Sequence, residues 1–276
     1  MNTIKTITWL TFHEARRRKM VLAALAMGAV FLLLYGLGVS LIDRNLKAQQ
    51  ISAAQLRFNY NILMIAGLYV VHFLTVMLAI FASVDAISGE IATHTIQALV
   101  TKPVRRWQIV LGKWIGYAAM LLLYLGLLAG GIFLVTYVLV SYTPPNLLAG
   151  LLLLMLEALV LLSLSLLGGT RLSTLTNGVV LFMLYGVAFI GAWVEQIGAL
   201  LQSHAAVNVG IVTSLLMPVE ALWRRASYLM QPPLLSGIPT PFSGTSPPSQ
   251  AMVIYAALYA AGALVLAMRV FSRRDL

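Results

Sequence analysis

The sequence predicts an all-α integral membrane protein with six transmembrane helices, and three observations carry that prediction. Of its 276 residues, 61% are hydrophobic and only 9% charged, and the mean hydropathy is +0.93. A soluble domain of that composition would have almost no polar surface to present to water. Uncharged apolar runs of about 18 residues or more recur along the chain, the length at which a helix crosses hydrocarbon. The basic residues gather at the ends of those runs, where they anchor and orient spans. The net charge of +10 therefore gives no case for nucleic-acid binding. The absence of cysteine excludes a disulfide framework, a thiolate metal site and a cysteine nucleophile.

Residues 1–19 read as an N-terminal interfacial helix. Ile4, Ile7, Trp9, Leu10 and Phe12 precede the basic cluster Arg16–Lys19, a pattern suited to the membrane surface. The first span is Met20–Ile42, whose 23 uncharged residues reach ~35 Å as a helix at ~1.5 Å each. Asp43–Arg57 is a polar connection. The second span falls within Phe58–Val84, at about 61–84. Asp85–Lys113 follows, with two acids, a histidine and four basic residues, too polar for hydrocarbon.

The next 43 residues, Trp114–Leu156, carry no charge and are broken only at Thr143-Pro144-Pro145-Asn146. Paired prolines cannot continue a helix interior, so spans at about 114–141 and 147–167 meet there in a turn. Gly168-Gly169-Thr170-Arg171 leads into a fifth span at 172–194. Residues 195–250 form a connection between spans 5 and 6 that is partly helical. Pro218 suits the first position of a helix running to Arg225. The Glu220/Arg224 spacing suggests an exposed face of a helix that lies in the outer interface or is partly re-entrant. Glu195, at a span end, reads as hydrated. The stretch 232–248 holds six of the ten prolines and reads as an irregular lid or linker. The sixth span, 251–268, ends in Arg269, Arg273 and Arg274.

Placing both termini in the cytoplasm puts thirteen lysines and arginines inside (Lys5, Arg16, Arg17, Arg18, Lys19, Lys102, Arg105, Arg106, Lys113, Arg171, Arg269, Arg273, Arg274) and five outside (Arg44, Lys47, Arg57, Arg224, Arg225). The positive-inside rule favours that orientation, which makes 195–250 extracytoplasmic and 85–113 cytoplasmic.

No catalytic set emerges. His13, His72, His94 and His204 are far apart in sequence, no phosphate loop is present, and no metal site is expected. Two polar residues stand out inside spans. Glu157 costs about 2.5–3.5 kcal/mol at mid-span, which the thirteen leucines of 147–167 outweigh. His72 lies near the middle of the second span. Together they are a possible intramembrane polar site; the alternatives are a protonated Glu157 bonded to a neighbouring helix and a neutral, packed His72. Gly126-xxx-Gly130, and Ala256/Ala260 with Ala257/Ala261, offer close helix approach within a bundle.

In 85–113, Ile87, Ile91, Thr95, Ala98 and Leu99 follow helical spacing. Ser88 stands where a cap belongs, Glu90 falls in the first turn, and Pro103 ends the helix. Asp85-Ala86-Ile87-Ser88-Gly89-Glu90, then Thr95, Leu99, Pro103, Arg106, Gly112 and Lys113, resembles the signature between the second and third spans of ABC-2 type transporter permeases. It is most similar to the NosY-like branch associated with multi-copper enzyme maturation; Ala92 and His94 depart from that branch's pattern.

The resemblance implies a six-span permease domain over 20–276 without ATPase activity of its own, in the inner or plasma membrane of a prokaryote. Two such subunits, identical or not, would sit over ABC-type ATPase subunits that hold ATP and Mg. The cytoplasmic helix Glu90–Val100 would be a coupling helix, with Glu90, Ile91, Thr93, His94, Thr95 and Leu99 meeting the ATPase. Arg105, Arg106 and Lys113 would anchor the segment at the lipid headgroups. ATP hydrolysis would then drive export or flipping of a substrate. Two other readings stay open: a mechanical transmitter that reshapes an extracytoplasmic accessory protein, and a self-contained membrane carrier or enzyme using Glu157 and His72.

Overall fold

A computed structural model describes residues 3–49, 51–92, 105–232 and 248–274. Among them there is no strand, and the helices in order are α1 Thr3–Arg17, α2 Lys19–Ala48, α3 Ala53–Ser83, α4 Ser88–Ala92, α5 Arg106–Val140, α6 Leu147–Gly169, α7 Thr174–Leu200, α8 His204–Leu216, α9 Val219–Leu229 and α10 Gln250–Ser272. Six of these, α2, α3, α5, α6, α7 and α10, are long and apolar enough to cross a membrane. The helices overrun the apolar stretches: the first expected span lies inside a helix of 30 residues.

Helix ends are set by local chemistry. Ser52 and Ser173 cap α3 and α7 by accepting from the backbone N–H of Gln55 and Thr176, both at 3.3 Å. The α5–α6 turn uses two left-handed residues, Ser141 (φ 51°) and Asn146 (φ 49°), on either side of the paired prolines. Asparagine tolerates that conformation better than most residues.

The core is built on α3, α5 and α6, with α10 laid on α6 through its alanine face: Ala256, Ala260, Ala263 and Ala267 are buried. Helix α2 is peripheral, and Leu33, Leu34 and Leu37 are more than half exposed, as suits a lipid-facing span.

The alanine spacing on α10 is used against α6, but the Gly126/Gly130 pair is not, and other glycines make the close approaches of α1 to α5 and of α7 to α8. Gly126 and Gly130 have nothing within 4 Å of where a side chain would begin. Gly112 and Gly116 instead receive α1. A Cβ on Gly112 would come within 2.7 Å of Ile7 Cγ2, and one on Gly116 within 3.0 Å of the Thr8 carbonyl. The Thr8 hydroxyl donates to the Gly112 carbonyl at 3.2 Å. Helix α1 is thus clamped to the start of α5, with Trp9 and Leu10 left exposed on its other side.

The second close approach is between α7 and α8, where Gly191 faces Thr213, Gly198 faces Ala206 and Gly210 faces Glu195. Helix α8 folds back along α7, and the chain bends by 107° into α9. Helix α9 then ends beside the α5–α6 turn, where Asn146 Nδ2 donates to the Leu229 carbonyl at 3.3 Å. Both ends of the α8–α9 hairpin lie at the same end of the bundle, so it is re-entrant. Tyr255 and Tyr259 of α10 donate to the Leu215 and Leu216 carbonyls at 2.6 and 2.9 Å, satisfying acceptors the bend leaves open.

Of the two placements expected for α9, in the outer interface or partly re-entrant, the contacts fit the second, but the exposed face expected on it is corrected. Glu220 and Arg224 are 3% and 7% exposed, so the face expected in water is inside the protein. The two do not pair with each other; each reaches a residue on another helix.

Candidate functional site

Two polar assemblies distinguish this bundle. The first caps the end that carries both termini. Gly89 N–H donates to the Asp85 carbonyl at 2.9 Å, turning the chain from α3 into α4. The Ser88 hydroxyl donates to the Val84 carbonyl at 2.9 Å and meets Thr174 Oγ1 of α7 at 2.8 Å. Ser88 therefore ties α4 to its neighbours instead of capping it. Asn177 of α7 adds bonds to the carbonyls of Val84 (3.2 Å) and Ser165 (2.9 Å), so the ends of α3, α6 and α7 are stitched together.

Charges complete this cap. Lys113 Nζ of α5 pairs with Glu90 Oε1 of α4, and Lys113 is only 4% exposed. Arg18, between α1 and α2, pairs with Asp85 and, at 2.8 Å, with Glu14. Burial opposes the charge on Arg18, but Tyr117 and the bonds from Glu14 and Asp85 outweigh it and hold the guanidinium above its ordinary pKa. Arg106 donates to the Arg274 carbonyl and Arg274 to the Thr170 carbonyl, linking α5, the α6–α7 turn and the end of α10. A cleft of about 640 Å³ opens here, lined by α1 residues with Glu90, Ile109 and Lys113.

The expected coupling residues fall unevenly on this cap. Glu90 and Ile91 lie on α4, and Ile91 is partly buried against the core. Thr93, His94, Thr95 and Leu99 lie outside the described residues. Arg105 is exposed, and its backbone N–H is capped by Gln108 Oε1 at 3.2 Å. Lys113 does not anchor the segment at headgroups. A buried ammonium needs a counter-charge, and Glu90 supplies it from within the protein.

The second assembly is in the middle of the bundle. His72 Nδ1 lies 2.7 Å from Glu157 Oε1, and His72 Nε2 lies 3.3 Å from Glu220 Oε1. The side chains are 0%, 1% and 4% exposed. From the ends of their helices, His72 is ~16 Å from Ser83 and Glu157 ~15 Å from Leu147 at ~1.5 Å per residue. Tyr185 OH of α7 lies 3.5 Å from His72 Nε2. Trp223 and Tyr69 cover the imidazole at centroid distances of 5.1 and 5.7 Å. The two intramembrane residues that the sequence singles out are thus brought together.

Glu220 completes the group, and sequence reasoning missed it. Its neighbours Arg224 and Arg225 make that stretch look like a solvated face. Arg224 instead holds Glu195 of α7 through two contacts, Nη1–Oε1 at 2.7 Å and Nη2–Oε2 at 2.9 Å, and Ser214 of α8 at 3.2 Å. Glu195 is therefore paired and 12% exposed at its side chain, not hydrated. Among the described residues, no group of His, Asp and Glu is arranged to hold a metal ion.

In comparison with known proteins, a family model described as "ABC-2 family transporter protein" matches residues 5–276. No curated protein matches the chain.

Proposed function

The chain belongs to the ABC-2 transporter family, as a multi-pass membrane permease subunit of an ABC transporter, and we propose that it couples ATP hydrolysis on a separate ABC-type ATPase subunit to export or flipping of a substrate. ATP and Mg would be held by that partner, and two permease subunits would pair over it. Both termini and 85–113 would face the cytoplasm. The resemblance of Asp85–Lys113 supports placing the chain in the NosY-like branch.

The observation that carries the coupling reading is the way α4 is tied. Glu90 joins it to α5 through Lys113, and Ser88 joins it to α7 through Thr174. Asp85, just before it, holds Arg18 at the α1–α2 junction. A push on the segment after Ala92 would load four spans together, which is what rigid-body rocking of a bundle requires. In this reading Glu90, Ile91, Thr93, His94, Thr95 and Leu99 form the ATPase-facing stretch, while Arg105 and Arg106 steady its far end.

The test is to purify the chain with its native partners and measure ATPase activity. Glu90→Arg, or deletion of 91–100, is expected to abolish stimulation of a co-purified ATPase by the permease. Unchanged stimulation in both variants would sink this reading. Substrate-stimulated turnover in liposomes then separates transport from mechanical transmission to an outer partner.

A further inference from the structure

The cluster at His72 does not balance its charges. Two carboxylates, Glu157 from α6 and Glu220 from α9, meet one imidazole from α3. With all three ionised, a net negative charge lies in a site with almost no access to water. Among the described residues nothing nearby offsets it: α7 contributes the neutral Tyr185, α3 the neutral Tyr69, and of the two arginines on α9, Arg224 is committed to Glu195 and Ser214 and Arg225 donates to the Pro248 carbonyl. Glu157 Oε2 is buried and, among the described residues, has no hydrogen-bond partner. Such an oxygen is far cheaper to bury in a neutral acid than in a carboxylate.

We propose that His72, Glu157 and Glu220 form an intramembrane proton-binding site whose proton seats the re-entrant helix α9. The neutral state is an imidazolium, one carboxylate and one carboxylic acid. The proton forms an O–H bond on a glutamate oxygen, comes from bulk water and returns to it on release. Losing it leaves two carboxylates facing one cation, and the group best placed to leave is Glu220. Its helix hangs from a 107° bend, whereas α3 and α6 are continuous spans in the core. Proton binding and α9 seating are then linked, and raised pH loosens α9. This inference does not rest on ATPase coupling, so it can stand or fall separately from the reading above.

The test uses the full chain in lipid nanodiscs. Infrared spectra at neutral pH are expected to show the carbonyl stretch of a protonated carboxylic acid, lost in both Glu157→Gln and Glu220→Gln. Absence of that band from the native chain, or its survival in both variants, overturns the proposal. Hydrogen exchange supplies the conformational arm, with rates divided by those of an unstructured peptide at the same pH. Protection of 219–229 is expected to fall about tenfold per pH unit through the transition, the slope for one linked proton. Glu157→Gln, which mimics the protonated acid, is expected to keep α9 protected at the pH where the native chain loosens. Protection that does not change with pH in the native chain also overturns it.

Discussion

Glu220 and His72 are 148 positions apart in sequence and 3.3 Å apart in the structure, joining the re-entrant helix to a central span. Replacing His72 by Ala would strand at least one carboxylate without a cation in the core. The expected cost is ~3–5 kcal/mol, that of breaking a buried ion pair. It is measured as lowered resistance of the purified chain to thermal or detergent unfolding. Adding Glu157→Gln and Glu220→Gln to the same chain should recover most of the loss, because no buried charge then remains unpaired.

A charge swap separates two roles for Glu90. Glu90→Lys alone would set two ammonium groups together at a buried position and is expected to abolish ATPase stimulation. Adding Lys113→Glu restores an ion pair of opposite polarity and should restore folding. Recovery of stimulation would show that Glu90 acts by holding α4 to α5. Folding without stimulation would assign Glu90 to direct contact with the ATPase.

Equal glycine spacings should behave unequally. Gly116→Val would push a side chain into Thr8 and Thr11, costing ~1–3 kcal/mol by overpacking and loosening α1. Gly126→Val and Gly130→Val enter open space and should leave stability of the isolated chain nearly unchanged. Unfolding midpoints of the three variants, with proteolysis near residues 3–17, make the comparison.

The pair that fixes α9 to α7 should be sensitive to loss of one member. Arg224→Met leaves Glu195 facing an apolar side chain, and a loss of ~3–5 kcal/mol is expected from an unpaired buried charge. The double variant Glu195→Gln with Arg224→Met should cost distinctly less. Similar losses in the single and double variants would mean that the ion pair contributes little.

Orientation can be read directly, since the chain has no native cysteine to remove. Single cysteines at Gln49 or Asn146 should react with an impermeant thiol reagent added outside intact cells. Cysteines at Ser173 or Ser272 should react only after the membrane is opened. The reverse pattern would invert the assigned topology.

By itself the sequence determined the class of this protein: an all-helical membrane bundle with six apolar helices. A span is a local property, set by the length of an uncharged run and ended by residues such as Pro144, Pro145 and the arginines at run ends. It also marked Glu157 and His72, because a polar side chain at mid-span is costly wherever the helix packs. Only the tertiary structure decided what those residues meet. Glu220 lay in a short stretch that composition reads as surface, and its burial comes from α9 packing on α6 and meeting His72 of α3. Lys113 read as a headgroup anchor, yet the turn after α3 brings Glu90 to it. Gly112-xxx-Gly116 and Gly126-xxx-Gly130 have the same spacing, and only the position of α1 makes the first a contact. Periodicity fixes which residues share a helix face; which face meets which is set by long-range packing and by the need to pair buried charge.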